Sequence, residues 1–465
     1  MEPNEASLSI LMFPWLAHGH VFPYLELAKN LTKHNFTIFF CSTPIILQSL
    51  PIPHHLPITL IPLHLPSPPE LPPDLHTTKH VPPHLMPLLR DTFHTSKAAF
   101  SAILASLRPD ILLFDAFQPW AAEAAAKIDI PAVHFATTGA AAYSFYYHLF
   151  FKKNTPFPHD ALYLRPHELE ALQQAADSNL RDSDLSEGLP HFTRSRDVIL
   201  MKTSRGVEGK YLDYLSLLCN KKIVPVGPLI TTTTTTTTTE KTDIMDWLSK
   251  KERWSTIYIS FGSENYLNKK QMEEMAKGLE ASRANFIWVV RFPLGEREEE
   301  EKEEEGILPL GFEERVGERG KIVKGWAPQA EILAHESVCG FVSHCGMSST
   351  IESVYFGVPV IGVPFKVDQP LNSRVLVEAG VGVEVARDDS GDFRGDDVAE
   401  AIRRVVEGGE EMRVRAAGMR ETMRGEEECA VAEAAAHLRR ICGEGFVKHD
   451  RSTIEKNGLG STLFH

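Results

Sequence analysis

Residues 326–369 read WAPQAEILAHESVCGFVSHCGMSSTIESVYFGVPVIGVPFKVDQ, and this stretch decides the fold. Its middle predicts a buried strand over 339–343, a tight His344-Cys345-Gly346 turn, and a helix that starts near Ser348 and Ser349 and carries Ile351, Glu352, Val354 and Tyr355. Such a turn points the free backbone N–H groups of a helix start, two hydroxyls and an imidazole at one spot, which is the local chemistry for holding phosphate. The flanks suit the remainder of a nucleotide sugar. Trp326 offers a flat face to a base, Gln329 both donates and accepts, and Glu352, one turn beyond Ser348, can accept two hydrogen bonds from a ribose diol. Asp368 and Gln369 follow a second buried stretch, 358–363, and in an open parallel sheet the carboxyl ends of strands face the ligand crevice, where sugar hydroxyls can be bound.

Upstream, the same alternation of strand and helix recurs. Strand 256–260, a Phe261-Gly262-Ser263 turn, helix 270–282 and strand 286–291 follow a helix around 246–250. The chain begins in the same way: strand 8–13, a loop 14–20 ending in His20, a helix with Pro23 in its first turn and Leu27, Ala28 and Leu31 on one face, then strand 36–41. Further strands are read at 111–114, ending at Asp115, at 132–135, ending at Thr137 and Thr138, and at 223–226. The fold class expected is α/β, two facing Rossmann-like doubly wound domains with a ligand cleft between them. Nine threonines, 231–239, have no means of burying a core and read as a linker. The division is therefore an N-terminal domain 1–228, a linker 229–243, a C-terminal domain 244–442 and a tail 443–465 without apolar period. Segment 51–87, rich in Pro and His, reads as a surface excursion, and the acidic run 298–305 as a solvated loop.

At 465 residues and 43% apolar content the chain supports large cores, and a formal charge of −14 argues against general attraction to nucleic acid or anionic membrane. An anionic ligand must then be captured by local groups. The start MEPNEAS lacks an apolar run with a cleavage site, and no uninterrupted apolar stretch long enough to span a bilayer occurs, so a soluble cytoplasmic protein, a monomer, is expected. Six cysteines show no paired spacing of the disulfide or zinc kind and read as buried or free thiols. Asp182-Ser183-Asp184 matches an Asp-x-Asp metal pattern in form, but no strand leads into it, and no metal or cofactor is expected.

Stretch 326–369 resembles the nucleotide-sugar signature of plant UDP-dependent glycosyltransferases of family 1, which opens WAPQ, contains HCG and ES, and closes DQ. The resemblance implies a GT-B fold, with Trp326 and its neighbour Ala327 at uracil, Gln329 and Glu352 on ribose, His344, Gly346 and Ser349 at the pyrophosphate, and Asp368 with Gln369 on the sugar. Met347 and Ser348 stand where the family usually has Trp and Asn; a thioether cannot donate a hydrogen bond, so the departure bears on the grip on the transferred sugar. The family's GH-x-x-P pattern is Gly19-His20-Val21-Phe22-Pro23 here. Its catalytic Asp matches Asp115, Thr137 matches a residue near the sugar, and Ser263 one near the phosphates.

A hydroxyl acceptor needs a base as it attacks the anomeric carbon. His20 is the candidate, its pKa expected to be lowered by the helix start so that the ring is neutral near pH 7, with Asp115 accepting from its other nitrogen. The reaction implied is a single inverting displacement that turns an α-linked donor into a β-glycoside without metal or covalent intermediate. Gln369 goes, in the family, with glucose. The loop 14–20 and the Pro-rich 63–70 are similar to the branch that adds a sugar to an existing glycoside; transfer to an aglycone hydroxyl is the alternative. Trp15, His18, Phe117, Trp120 and Tyr143 are the candidate acceptor-pocket residues. Two other classes remain in view: an inactive nucleotide-sugar-binding protein, with Met347 and Ser348 as lesions, and an epimerase or dehydrogenase, which would want a Gly-x-Gly-x-x-Gly turn after the first strand.

Overall fold

The computed structural model describes residues 7–152, 154–179, 189–231, 238–291 and 308–457. Short, almost wholly apolar runs separated by helices are the sequence form of strands covered on both faces, and they assemble here into two parallel sheets. The first comprises β1 (Leu8–Phe13), β2 (Phe36–Ser42), β3 (Ile58–Pro62), β4 (Ile111–Phe114), β5 (Ala132–Ala136), β6 (Val198–Met201) and β7 (Lys222–Pro225), in the order β3-β2-β1-β4-β5-β6-β7. The second comprises β8 (Thr256–Ser260), β9 (Asn285–Val290), β10 (Gly320–Lys324), β11 (Val338–Ser343), β12 (Val360–Gly362) and β13 (Gly382–Glu384), in the order β10-β9-β8-β11-β12-β13. Every pairing is parallel. Strand order reverses between β1 and β4 in one sheet and between β8 and β11 in the other, and such reversals are where open sheets leave a crevice at the strands' carboxyl ends.

The helices that position the site are α1 (His18–Thr32), α2 (Ala140–Phe151), α3 (Arg205–Cys219), α4 (Lys269–Ser282), α5 (Met347–Phe356), α6 (Gln369–Glu378), α7 (Gly395–Val406) and α8 (Glu410–Asn457). In the second half α4 and α7 cover one sheet face through Met275, Leu279, Val398 and Ile402. The long helix α8 belongs to both halves. Ala416 and Met423 pack with Ile351 and Val354 of α5, whereas Val431, Ala434, Leu438 and Ile441 join the core of the first sheet. The halves also meet where Leu371 and Val375 of α6 pack against Ala141 and Phe145 of α2.

Several expectations are corrected. Segment 51–87 is not a pure surface excursion: it contains edge strand β3 and buries Leu63, Leu65 and Leu71. Pro62 is tolerated because it closes an edge strand, where its missing N–H interrupts no central ladder. Helix α1 starts at His18, so His20 lies inside its first turn and Pro23 beyond it; the Ala17 carbonyl accepts from the N–H groups of both His20 and Val21 at 2.9 Å, which closes that turn without a side-chain cap. The C-terminal helix extends past residue 443 to Asn457. Threonines 232–237, the acidic run 298–305, Asp182-Ser183-Asp184 and residues 458–465 lie outside the described residues, and Thr238 already begins a helix, Thr238–Leu248. All six cysteines are free thiols, and no helix among the described residues is long and apolar enough to cross a membrane.

Candidate active site

The carboxyl ends of β1, β4, β5 and β6 face those of β8, β9, β10, β11 and β12 across a cleft that encloses a cavity of ≈ 350 Å³, a size suited to a small-molecule ligand. From the first half, His20, Thr137 and Lys202 reach its wall; from the second come Ser263, Trp326, Ala327, Gln329, His344, Gly346, Met347, Ser348, Ser349, Glu352, Asp368 and Gln369. A larger cavity, ≈ 880 Å³, at the other edge of the first sheet brings together none of these residues.

His20 stands at the centre of the first-half wall. Its Nδ1 lies 2.7 Å from Asp115 Oδ2 and 3.0 Å from Thr137 Oγ1. Asp115 is buried at the end of β4 and accepts weakly from the Trp15 and Phe117 backbone N–H groups, each at 3.4 Å. Burial pushes the Asp115 pKa up, but the charge and hydrogen bond of His20, with a lesser contribution from His134, overcome that and hold it below the ordinary value. The ionised carboxylate therefore makes Nδ1 the donor and leaves Nε2 as the basic nitrogen. The sign expected for His20 itself is reversed. Burial acts to lower its pKa, but attraction from Asp115, then from Glu264 and Asp368, outweighs burial and raises the pKa above 6.5. Replacing Asp115 by Asn removes the largest raising contribution and keeps the burial, so the His20 midpoint, followed by ring-proton NMR, should move to lower pH; an unmoved midpoint would show that the carboxylate does not control the ring.

On the second-half wall the helix start of α5 is free of side-chain caps, with Gly346 at its N-cap. His344 is neutral at pH 7, its pKa pushed down to about 4 chiefly by burial and then by Lys366, and its Nδ1 is buried with no hydrogen-bond partner in the described structure. Two glycines make room for that ring. A Cβ on Gly262 would sit 2.7 Å from His344 Cε1, and one on Gly346 would sit 2.4 Å from Nε2; Gly262 also has φ +76°, which disfavours any side chain. Gln329 Nε2 donates to Glu352 Oε2 at 2.6 Å, and Tyr258 donates to Gln329 Oε1 at 3.3 Å, so the two side chains hold each other in place. Asp368 Oδ2 accepts from Asn372 Nδ2 at 3.0 Å. Gln369 Oε1 accepts from the backbone N–H groups of Phe365 and Lys366, at 3.0 and 3.1 Å, and its Nε2 makes a long hydrogen bond to Asn265 Oδ1 at 3.5 Å.

The expected acceptor residues separate. Phe117, 41% exposed, presents an apolar face beside His20: it meets that ring edge-on at 5.5 Å and stacks on Trp15 at 5.0 Å. Trp15 and Trp120 are not on the cavity wall; they are buried in an aromatic cluster with Phe13, Phe93 and Phe100. Tyr143 is likewise off the wall and packs against His134, His191 and Phe192. His18 lines the cavity on the Trp326 side instead, 5.4 Å from that ring, and burial with Lys79, Arg291 and His80 lowers its pKa to about 3. Residues that sequence reading missed are Lys202, Arg291, Glu264 and Lys79. The first two follow strands directly; Lys79 and Arg291 place their cations 5.1 and 4.7 Å from the Trp326 ring centre, and Glu264 accepts from Thr78 across the cleft at 2.7 Å.

Comparison with known proteins matches residues 239–414 to a family described as UDP-glucoronosyl and UDP-glucosyl transferase and residues 6–231 to one described as glycosyltransferase, N-terminal domain. A Mogroside IIIx synthase of Siraitia grosvenorii is 46% identical over 440 residues, 92% of each chain. A beta-D-glucosyl crocetin beta-1,6-glucosyltransferase of Gardenia jasminoides is 45% identical over 401 residues, 84% of this chain and 89% of its own. The crystal structure of TcCGT1 in complex with UDP superposes with a TM-score of 0.77 at 25% identity, over 94% of this chain and 100% of that one.

Proposed function

The chain belongs to the plant UDP-dependent glycosyltransferases and is a glycosyltransferase enzyme of GT-B fold, and on that premise we propose that it transfers glucose from UDP-glucose to a hydroxyl of a small-molecule glycoside. The observation that carries the reading is the His20–Asp115 pair facing, across one cavity, the uncapped start of α5. In this reading uracil stacks on Trp326, the ribose diol is held by Glu352 and Gln329, and the diphosphate lies at the N–H groups of α5 beside the His344 ring. The sugar then projects towards Asp368 and Gln369, with its anomeric carbon towards His20.

His20 Nε2 takes the proton as the acceptor oxygen bonds to the anomeric carbon. The bond from that carbon to the β-phosphate oxygen breaks on the opposite face, UDP leaves with the electron pair, and the configuration inverts. Asp115, ionised and at Nδ1, stabilises the imidazolium that forms. Because the His20 pKa is raised, the base is strong but protonated sooner on acidification, so the acid limb of kcat/KM lies above pH 6.5. The glycoside acceptor is supported by relatives whose names state action on, or synthesis of, glycosides.

The test is incubation with UDP-glucose and a panel of terpenoid and phenolic glycosides beside their aglycones. Release of UDP with a glycoside heavier by one hexose supports the reading. Turnover of aglycones alone moves the acceptor to the alternative class, and donor binding without turnover contradicts transfer altogether.

A further inference from the structure

Lys202 follows β6 at the carboxyl edge of the first sheet and crosses the cleft. Its Nζ donates to Ser348 Oγ at 2.9 Å, in the first turn of α5, and the residue is only 2% exposed. A hydroxyl is the ammonium's one hydrogen-bond partner among the described residues, with Glu352 and Glu26 attracting it from a greater distance. A buried ammonium served by a neutral oxygen is expensive to keep unless an anion completes its shell. The cavity beside it has the helix start that suits an anion, yet its imidazole, His344, is neutral there. A nucleoside diphosphate placed at α5 would meet hydrogen bonds from the second half and, in the first turn of that helix, the charge of Lys202; Arg291 and Lys366 also line the cavity.

We propose that Lys202 is a cationic contact for the donor's diphosphate, supplied by the first half of the protein at the first turn of α5. The inference rests on the donor reading above and extends it to a residue outside both 326–369 and the Gly19–Pro23 pattern. As the bond between the anomeric carbon and the β-phosphate oxygen breaks, negative charge accumulates on the phosphate, and a fixed cation there favours the transition state as well as the bound donor. The same contact ties the two halves together over the donor.

The pH dependence follows from the lysine. Burial lowers its pKa to about 8, with Glu352 and Glu26 acting in the opposite direction. Its charge is present below that pH and lost above it.

The experiment is calorimetric titration of the full chain and of Lys202→Gln with UDP and, separately, with uridine, which shares the base and ribose contacts and so controls for any change passed on to Glu352. Lys202→Gln should weaken UDP by about tenfold or more and uridine by less than about twofold, as expected for loss of one charge-assisted hydrogen bond. In the unmodified chain, UDP affinity should fall between about pH 7 and pH 9 while uridine affinity does not. Equal losses for UDP and uridine, or no loss for either, would make Lys202 a strut between the halves and overturn the proposal. Should Lys202→Gln not fold, the pH comparison on the unmodified chain decides alone, a flat UDP profile being the contrary result. An unmodified chain that binds no UDP at any pH would remove the donor reading itself, and this inference with it.

Discussion

Replacing His20 by Ala is expected to lower turnover by about 10²- to 10⁴-fold, the usual worth of a positioned general base, and to leave UDP affinity nearly unchanged. The ring is 20% exposed at the cavity wall, and its Nδ1 is committed to Asp115, so Nε2 is the nitrogen left to take the acceptor proton. Loss of the ring also strands Asp115, which is buried and would take up a proton to shed its charge. The variant should therefore fold, with a stability that no longer depends on the ion pair. Single-turnover rates with saturating donor, beside calorimetric UDP binding, separate the chemical step from donor capture. Retention of near-normal turnover would show that another group moves the proton.

Replacing Glu168 by Ala is expected to destabilise the protein by about 3–5 kcal/mol, the range seen when one partner of a buried ion pair is removed. Glu168 and Arg374 are each 4% exposed, and Arg374 Nη2 donates to both Glu168 oxygens, at 2.9 and 2.8 Å. The Glu168 side chain also accepts from the Arg165 backbone N–H at 2.7 Å, and Arg374 Nη1 donates to the Tyr163 carbonyl at 2.8 Å. Without the carboxylate, Arg165, Arg374 and Arg387 are left around Glu384, which is 3.9 Å from Arg374. The double replacement Glu168→Leu with Arg374→Leu removes both members of the buried pair, so it should lie closer to the unmodified protein than either single variant does. Because Arg374 sits on α6, whose first residue is Gln369, the single variants should also raise KM for the donor. Denaturant unfolding followed by fluorescence checks the order; a double variant weaker than both singles would contradict the ion-pair account.

Much of this arrangement was legible because its strands are covered on both faces and so read as unbroken apolar runs: β1, β4 and β8 have the bounds the sequence predicts. Strands β10 and β13 were missed because one carries Lys321 and Lys324 and the other is three residues long, which leaves no apolar run to recognise. Pro62 and its neighbouring prolines hid β3 in the same way, since an edge strand admits what a central strand forbids. The second-half wall was legible as one continuous motif. The first-half wall was not, because it is assembled from separated segments whose aromatic residues look alike in sequence. Phe117 reaches the solvent beside His20, whereas Trp15 and Trp120 fill the core beneath it. The raised His20 pKa is a different case: the sequence places Asp115 at the ring, but that its charge at 2.7 Å, with Glu264 and Asp368, outweighs burial is a balance that spacing alone does not set. Lys202 escaped notice with β6, the strand that aims it.

The central claim is that one cleft seats an α-linked UDP-sugar so that an acceptor hydroxyl, relieved of its proton by His20, enters opposite the departing diphosphate. Proton NMR of the isolated product tests it most directly, through the coupling between the first two ring protons of the newly added sugar. The account predicts a β-linked glucoside as the sole new anomer; an α-linked product from the same donor would contradict single displacement at this site.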